Sequence, residues 1–463
     1  MKSSINIPLF GVFGLPLIAF SLAASGQMFA QEANLLAPAP ALSSDVAQSD
    51  LQPGHVRSAT PDAFRTEETL VIDDATLDAA TVDLGDLVRE VDNHVNVDIR
   101  VTGGVGYDTN TQLTSSNEIG GWVSWVAVGA SIDVGDESAI GLYYGADLVG
   151  NLFSYDSDDA DGGRDNNEPM LNVYAGIRGA KTNVRVSSML RLNNGNVVDY
   201  TDTEREQRRA RSKDYNVNVA GQRTLAHGYL TGAVGTDNRD FDQATGLNDT
   251  VGYSADAAWF YSPGFAPKTD FGLGLRAGSY ETANNFDQTF LQPSLRINYA
   301  YSGKTQIFGR LGYDMRNFDG EGSIGSTESF VYELGSRWAP TKRVNLQASV
   351  YKDFSPSVVS GFEDFNRAGV RGSAAYALPW WALRLAIDGS YEHADYFSTL
   401  KDVTSTRGDD YWLFGTSLSR SFDLTRFLTG DVTAFYYFTS NDSTVEANDF
   451  ADHFTGVRFG VTY

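Results

Sequence analysis

The stretch that constrains this chain most is its last, His453 to Tyr463, which reads H-F-T-G-V-R-F-G-V-T-Y. Counting back from Tyr463, the residues Val461, Phe459, Val457 and Thr455 share one face, and Thr462, Gly460, Arg458 and Gly456 share the other. This is the period of a β-strand that is greasy on one side and polar on the other. A strand that ends a chain carries an open hydrogen-bonding edge, and an open edge must be paired or it becomes a template for aggregation. The natural partner is the first strand, and that pairing closes a barrel. The rest of the chain must then supply enough similar strands, with their apolar faces outward.

The first such ribbon is also the cleanest. Val95, Val97, Ile99, Val101 and Val105 share one face, opposed by Asn96, Asp98, Arg100 and Thr102. The same alternation recurs in stretches centred near Tyr144, Val173, Val186, Val217, Leu295, Leu346 and Leu385. Each extends to about ten residues, the length a tilted strand needs to cross a bilayer. Short links, such as Ala180–Thr182 and Ser302–Lys304, alternate with longer polar ones, such as Asp108–Glu118, Asn193–Ser212, Phe354–Phe365 and Ala394–Arg407. Eight short turns and nine long loops join eighteen strands, an even number that leaves both chain ends on one side. The expected fold is therefore all-β: a transmembrane antiparallel up-and-down barrel of about 18 strands, with short periplasmic turns and long extracellular loops. Two segments are weak. Ile119 to Val134 is apolar on both faces, and Tyr229 to Asp237 barely alternates, so the count falls to sixteen if either is misread. A soluble β-sandwich would need the apolar faces turned inward and gives no reason for the asymmetry of the links.

Composition narrows the partners. The 46 Gly, 23 Tyr and 27 Phe suit a membrane barrel with aromatic girdles. A net charge of -24 argues against nucleic acid, whose phosphates need a basic face. With no cysteine there is no disulfide, no thiolate metal site and no lipoprotein acylation. Residues 1–30 begin with Lys2, run apolar from Ile7 to Ala24 and end in small residues, the pattern of a secretory signal peptide. Residues 31–94 read as a flexible, acidic periplasmic segment, and 95–463 as the barrel. Within the segment, Glu68 to Ile72 is similar to the short box by which energy-coupled outer-membrane receptors engage their periplasmic coupling protein, but the interval before Val95 is too short for the plug such receptors carry.

If the apolar faces look outward, the lumen is lined by Asp98, Arg100, Asp147, Arg178, Arg185, Arg276, Arg296, Arg310, Glu333, Arg337, Arg371, Arg384 and Arg458, joined by Asp256, Asp314 and Asp388. Such side chains facing hydrocarbon would be very costly. Across a lumen they select solutes by charge, or form cross-strand ion pairs that stiffen the wall. The one dense basic run, with Arg205, Arg208, Arg209 and Arg211, lies in a long loop, as a solvated helical turn or a contact for lipopolysaccharide or acidic polysaccharide. Asp156 to Glu168 is acidic without the register of a calcium loop, since Ala160 stands where a ligand belongs. Five scattered histidines and the lack of a nucleophile elbow or metal-ligand pair point to no enzyme and no cofactor.

Gly103 to Asn110, G-G-V-G-Y-D-T-N, closes the first strand and resembles the G-Y-D-x-N signature opening the type 2 β-barrel porin family. These are outer-membrane proteins of Gram-negative bacteria often associated with exopolysaccharide systems. The resemblance implies a barrel and an outer-membrane address, and it carries over no catalytic residues. The expected function is a porin-like channel for passive passage of small hydrophilic solutes. Behind it stand an accessory barrel of a surface or exopolysaccharide export system, and an energy-coupled receptor lacking a plug. Expected partners are outer-membrane lipid and lipopolysaccharide, polysaccharide or export components, and the barrel-assembly machinery. That machinery would read Phe459, Val461 and Tyr463 as an assembly signal, although Arg458 occupies the place such signals usually give to Gly.

Overall fold

A computed structural model describes residues 95–137, 140–156, 167–193, 211–241, 247–283, 285–357, 363–379 and 382–463. The signal peptide, the acidic segment with its Glu68–Ile72 box, and Arg205, Arg208 and Arg209 lie outside them.

The alternating stretches form eighteen strands: β1 Val95–Asp108, β2 Gly121–Val134, β3 Gly141–Tyr155, β4 Asn167–Arg178, β5 Thr182–Asn193, β6 Ser212–Leu225, β7 Gly228–Phe241, β8 Thr250–Tyr261 and β9 Thr269–Thr282. The second half holds β10 Asp287–Ser302, β11 Thr305–Asp319, β12 Ser326–Thr341, β13 Val344–Pro356, β14 Glu363–Ala377, β15 Leu383–Ser398, β16 Gly408–Asp423, β17 Thr429–Ser443 and β18 Phe450–Thr462. Every strand pairs antiparallel with its neighbours in sequence, and β1 pairs with β18, so the sheet has no free edge. At that seam Val105 faces Val457 and Val101 faces Val461, and Tyr463 exchanges backbone hydrogen bonds of 2.9 and 3.2 Å with Ile99. The chain end is thus the closing stave.

The two weak segments are both real strands, which rules out sixteen. β7 alternates poorly because small residues, Gly232, Ala233 and Gly235, fill its middle. β2 is apolar on both faces for a different reason, given below. The strands also run longer than the links suggested. β13 continues to Pro356 and β14 begins at Glu363, so half of Phe354–Phe365 is ladder rather than loop; β15 likewise continues to Ser398. Links span two to seven residues at one end of the barrel and four to eighteen at the other.

Large apolar side chains stand exposed on the outer face of nearly every strand, among them Val97, Leu148, Leu295 and Phe330, while Arg276, Arg316 and Glu333 are buried inside. No water-soluble fold survives that inversion, whereas a bilayer requires it. Exposed aromatics cluster near both ends of the outer wall: Tyr144, Trp259, Tyr261, Tyr301 and Trp338 toward the short turns, and Trp122, Phe330 and Trp412 toward the long loops. These are girdles at two membrane–water interfaces.

Candidate functional site: the barrel interior

Two arcs of the inner wall stand out. Along β8 to β15 the wall is dense with charge. Arg296 makes a bidentate pair with Asp256, with Nη1 2.9 Å from Oδ1, and both side chains are almost wholly buried. Arg371 reaches Glu333 at 2.6 Å and Ser349 at 2.9 Å. Arg310 donates to Gln292 at 3.2 Å and lies 3.9 Å from Asp353, and Gln292 donates in turn to Asp314 at 3.0 Å. Arg367 lies 3.7 Å from Glu392, which also accepts the Tyr351 hydroxyl at 2.7 Å. A buried ion pair holds best when its remaining donors and lone pairs are also engaged, and here Gln292 and Glu392 each serve two partners.

Arg316 is 1% exposed. Its guanidinium donates to Asp314 at 2.9 Å and Gln288 at 2.7 Å, and it lies over the Phe354 ring at 3.8 Å, with Phe290 at 5.0 Å and Tyr280 at 5.8 Å. The planar cation is held edgewise by acceptors and face-on by rings. Gln288 then donates to Asp364 at 3.0 Å. β10 and β14 are separated by three strands, so this bond is a chord across the interior near the long-loop end.

The loops above this arc are tied together. Ile324 donates its amide to the Thr399 carbonyl at 2.9 Å, Lys401 donates to Gly322 at 2.8 Å, and the Thr399 hydroxyl bonds Asn285 at 3.2 Å. Links from three different hairpins thereby meet over one side of the mouth.

The second arc, β1 to β3 with β17 and β18, is aromatic within. Val123, Trp125, Phe153, Phe435 and Tyr437 form one buried cluster with Phe454 and Tyr155 against it. Phe435 lies 6.0 Å from Trp125 and 5.2 Å from Phe454. This explains the two-faced β2: Trp122, Val126 and Val128 face lipid, while Val123 and Trp125 face other rings inside the barrel. The rings lie flat against glycine. A Cβ on Gly104 would collide with the Trp125 indole, and one on Gly106 would come within 2.6 Å of Phe454. Above them the first loop folds inward. Leu113 is buried against Tyr411 and Phe450. Asn110 fixes that loop by accepting from the Thr114 amide at 3.0 Å and donating to Ala451 of β18 at 3.1 Å, while its own amide bonds Asp108 at 2.9 Å and Asp452 at 3.2 Å. The G-Y-D-T-N motif is therefore a shelf for Phe454 followed by a latch for the loop.

Of the expected lumen residues, Arg276, Arg296, Arg310, Glu333, Arg337 and Arg371 gather on the charged arc, with Arg276 over Phe290 and Arg337 over Phe308. Asp147, Arg178 and Arg185 form a separate group on β3 to β5. There Asp147 accepts from Asn172 at 3.1 Å, Arg178 donates to the Glu137 carbonyl at 2.8 Å, and Arg185 pairs with the Glu137 carboxylate at 2.6 Å. Asp98 and Arg100 lie at the short-turn end of β1, where Arg100 meets Thr462 at 3.3 Å, and Arg458 sits opposite Gly104. Arg384 lies at the short-turn end of β15 and Asp388 four residues further in. Arg211 precedes β6. Phe459, Val461 and Tyr463 point outward. The sequence reading missed Arg316, Asp353, Arg367, Glu392 and Gln288. Carrying the alternation outward from Val350 and Arg371, instead of stopping for a loop, reaches Asp353 and Arg367.

A closed barrel with an apolar outside and a charged inside defines a membrane-spanning β-barrel. No family model and no curated protein matches the chain. Among solved structures it is similar to Pseudomonas aeruginosa OpdK with vanillate (TM-score 0.45, 16% identity, covering 80% of this chain and 99% of that one). It is also similar to Acinetobacter baumannii OccAB2 (0.46, 12%, 81% and 98%) and to the siderophore receptor PirA of Pseudomonas aeruginosa (0.41, 9%, 80% and 81%).

Proposed function

We propose that this protein is a porin-like channel in the outer membrane of a Gram-negative cell, passing small hydrophilic solutes passively, with its short turns in the periplasm. The observation that carries the proposal is the charged arc inside a closed barrel. Fixed guanidinium and carboxylate groups facing each other along one wall set up a transverse field that sorts solutes by charge and orients them as they pass. The test is single-channel recording of the purified protein in planar bilayers. Discrete openings are expected, with a reversal potential under a salt gradient that moves when charged-arc residues are neutralised. Silence in every preparation, with or without residues 31–94, sinks the channel.

Two features bear on a second function. The links over the charged arc are hydrogen-bonded to one another, and the G-Y-D-T-N motif resembles the type 2 porin family with its exopolysaccharide associations. A non-conducting accessory barrel for polysaccharide export, contacting polysaccharide or lipopolysaccharide through the loop that carries Arg205, Arg208, Arg209 and Arg211, is what a silent bilayer would leave standing. In either case the outward Phe459, Val461 and Tyr463 serve as the signal for the barrel-assembly machinery. Deleting Tyr463 removes the two backbone bonds to Ile99 and about 2 kcal/mol of folded-state stability, yet it should cut heat-modifiable barrel in cells far more than that loss accounts for. Normal levels in the outer membrane would refute the signal.

A further inference from the structure

On the outer wall, from the short-turn end of β8 and β9 obliquely up to the middle of β12, runs a groove of about 570 Å³. Trp259, Phe271, Leu295, Ile297, Leu311 and Leu334 line it. It exists because Gly309 puts no side chain on the outer face of β11, between Ile297 of β10 and Leu334 of β12. Beyond the groove's lining, at the short-turn end of two of its strands, stand two lysines. Lys268 immediately precedes β9 and Lys304 immediately precedes β11. Both are exposed, and each ammonium donates to a main-chain carbonyl, Tyr301 at 2.9 Å and Pro340 at 2.9 Å, rather than to a carboxylate. An ammonium has three donors, so each retains protons for a further acceptor.

The setting is basic as well. Although the whole chain carries -24, the short links next to the groove and beyond it present Lys342, Arg343 and Arg426 alongside Lys268 and Lys304, and all five are exposed. The acidic Asp136 and Glu137 belong to the link between β2 and β3, on another part of the rim. Trp259, Tyr261 and Tyr301 mark the interface depth at which a headgroup lies.

We infer that this groove is a binding site for one anionic phospholipid of the leaflet at the short-turn end, its acyl chain over Gly309 and its phosphate between Lys268 and Lys304. The apolar lining supplies burial for methylenes without regard to headgroup, and the two ammonium groups supply preference for net negative charge. A neutral surface dent would lack the second component. A contact face for a second barrel would need no ammonium pair at the edge.

Native mass spectrometry of the full protein in mild detergent tests this, with phosphatidylglycerol or phosphatidylcholine added. One phosphatidylglycerol should be retained per barrel in preference to phosphatidylcholine. Lys268→Gln combined with Lys304→Gln should lower phosphatidylglycerol retention roughly 25-fold, about five-fold per lysine, and leave phosphatidylcholine unchanged. Gly309→Leu fills the floor, where a Cβ already lies 3.1 Å from Ile297 and 3.6 Å from Leu334, and should abolish retention of both lipids. Heat-modifiable migration reports whether each variant folds, and the lysine pair lies in exposed turns, so it tests the site even if Gly309→Leu does not assemble. Equal retention of the two lipids by the natural protein, or unchanged retention in the variants, overturns the inference. So does Gly309→Leu dissociating an oligomer while leaving bound lipid unchanged.

Discussion

The two arcs of the inner wall obey the same alternation and solve the same problem with opposite chemistry. Each must place side chains in a space too wide for one layer of residues to fill. On β1 to β3, β17 and β18 the answer is aromatic: rings from four strands meet, and glycine opposite them lets the rings lie against the backbone. On β8 to β15 the answer is ionic: arginines, carboxylates and glutamines share donors and acceptors from strand to strand. Aromatic filling costs no desolvation of charge and leaves nothing for a polar solute to bind. Ionic filling pays that desolvation and, in exchange, leaves a field. Under the proposed channel function, the aromatic arc would serve structure and the charged arc the sorting of solutes.

Two substitutions test that division. Trp125→Ala empties the centre of the aromatic cluster and should cost about 4 kcal/mol, read from urea unfolding of the barrel in vesicles, while ion selectivity stays as it was. A selectivity shift as large as those from charged-arc variants would break the contrast. Asp256→Asn should do the reverse. It strands the Arg296 cation, both partners being buried, and should cost about 3 kcal/mol. It should also move the reversal potential toward anions, since the wall gains one net positive charge. If Asp256→Asn destabilises the barrel without changing selectivity, the pair is wall reinforcement and the field lies elsewhere.

Alternation alone made the barrel legible, because its period depends on nothing beyond neighbouring residues. The seam was legible for the same reason, since only the first and last strands lacked a partner. The aromatic arc was not. A run such as Gly121 to Val134, apolar on both faces, does not distinguish lipid outside from rings inside, and only the meeting of Trp125 with Phe435, more than three hundred residues away, decides it. The charged arc was half legible. Arg276, Arg296, Arg310 and Glu333 sit mid-strand, where parity is unambiguous. Asp353 and Arg367 flank the Phe354–Phe365 link, near the strand ends where the alternation fades. The chord from Gln288 to Asp364 depends on the curvature of the wall, a property no local period carries.

The arcs also hold their mouths differently, and that difference yields the smallest and most local effect. Over the charged arc the links bond backbone to backbone. Over the aromatic arc the inward tip of the loop from Thr109 to Gly120 is seated by the Leu113 side chain, 1% exposed between Tyr411 and Phe450. Leu113 has φ of 50°, a left-handed backbone that costs an L-residue of order 1 kcal/mol, and its burial offsets that cost. Leu113→Ala keeps the backbone conformation and loses most of the burial, about 2 kcal/mol. The Asn110 bonds to Ala451 and Asp452 remain, so the base of the loop should stay anchored while its inward tip lets go. Hydrogen exchange should therefore quicken at the Leu113 and Thr114 amides, whose acceptors are the Asn110 carbonyl and side chain. The unfolding midpoint should stay put, and the links around Ile324 and Lys401 should keep their protection. A fall in protection at both mouths together would mean that the loops form one cooperative lid and that the two arcs are not independent.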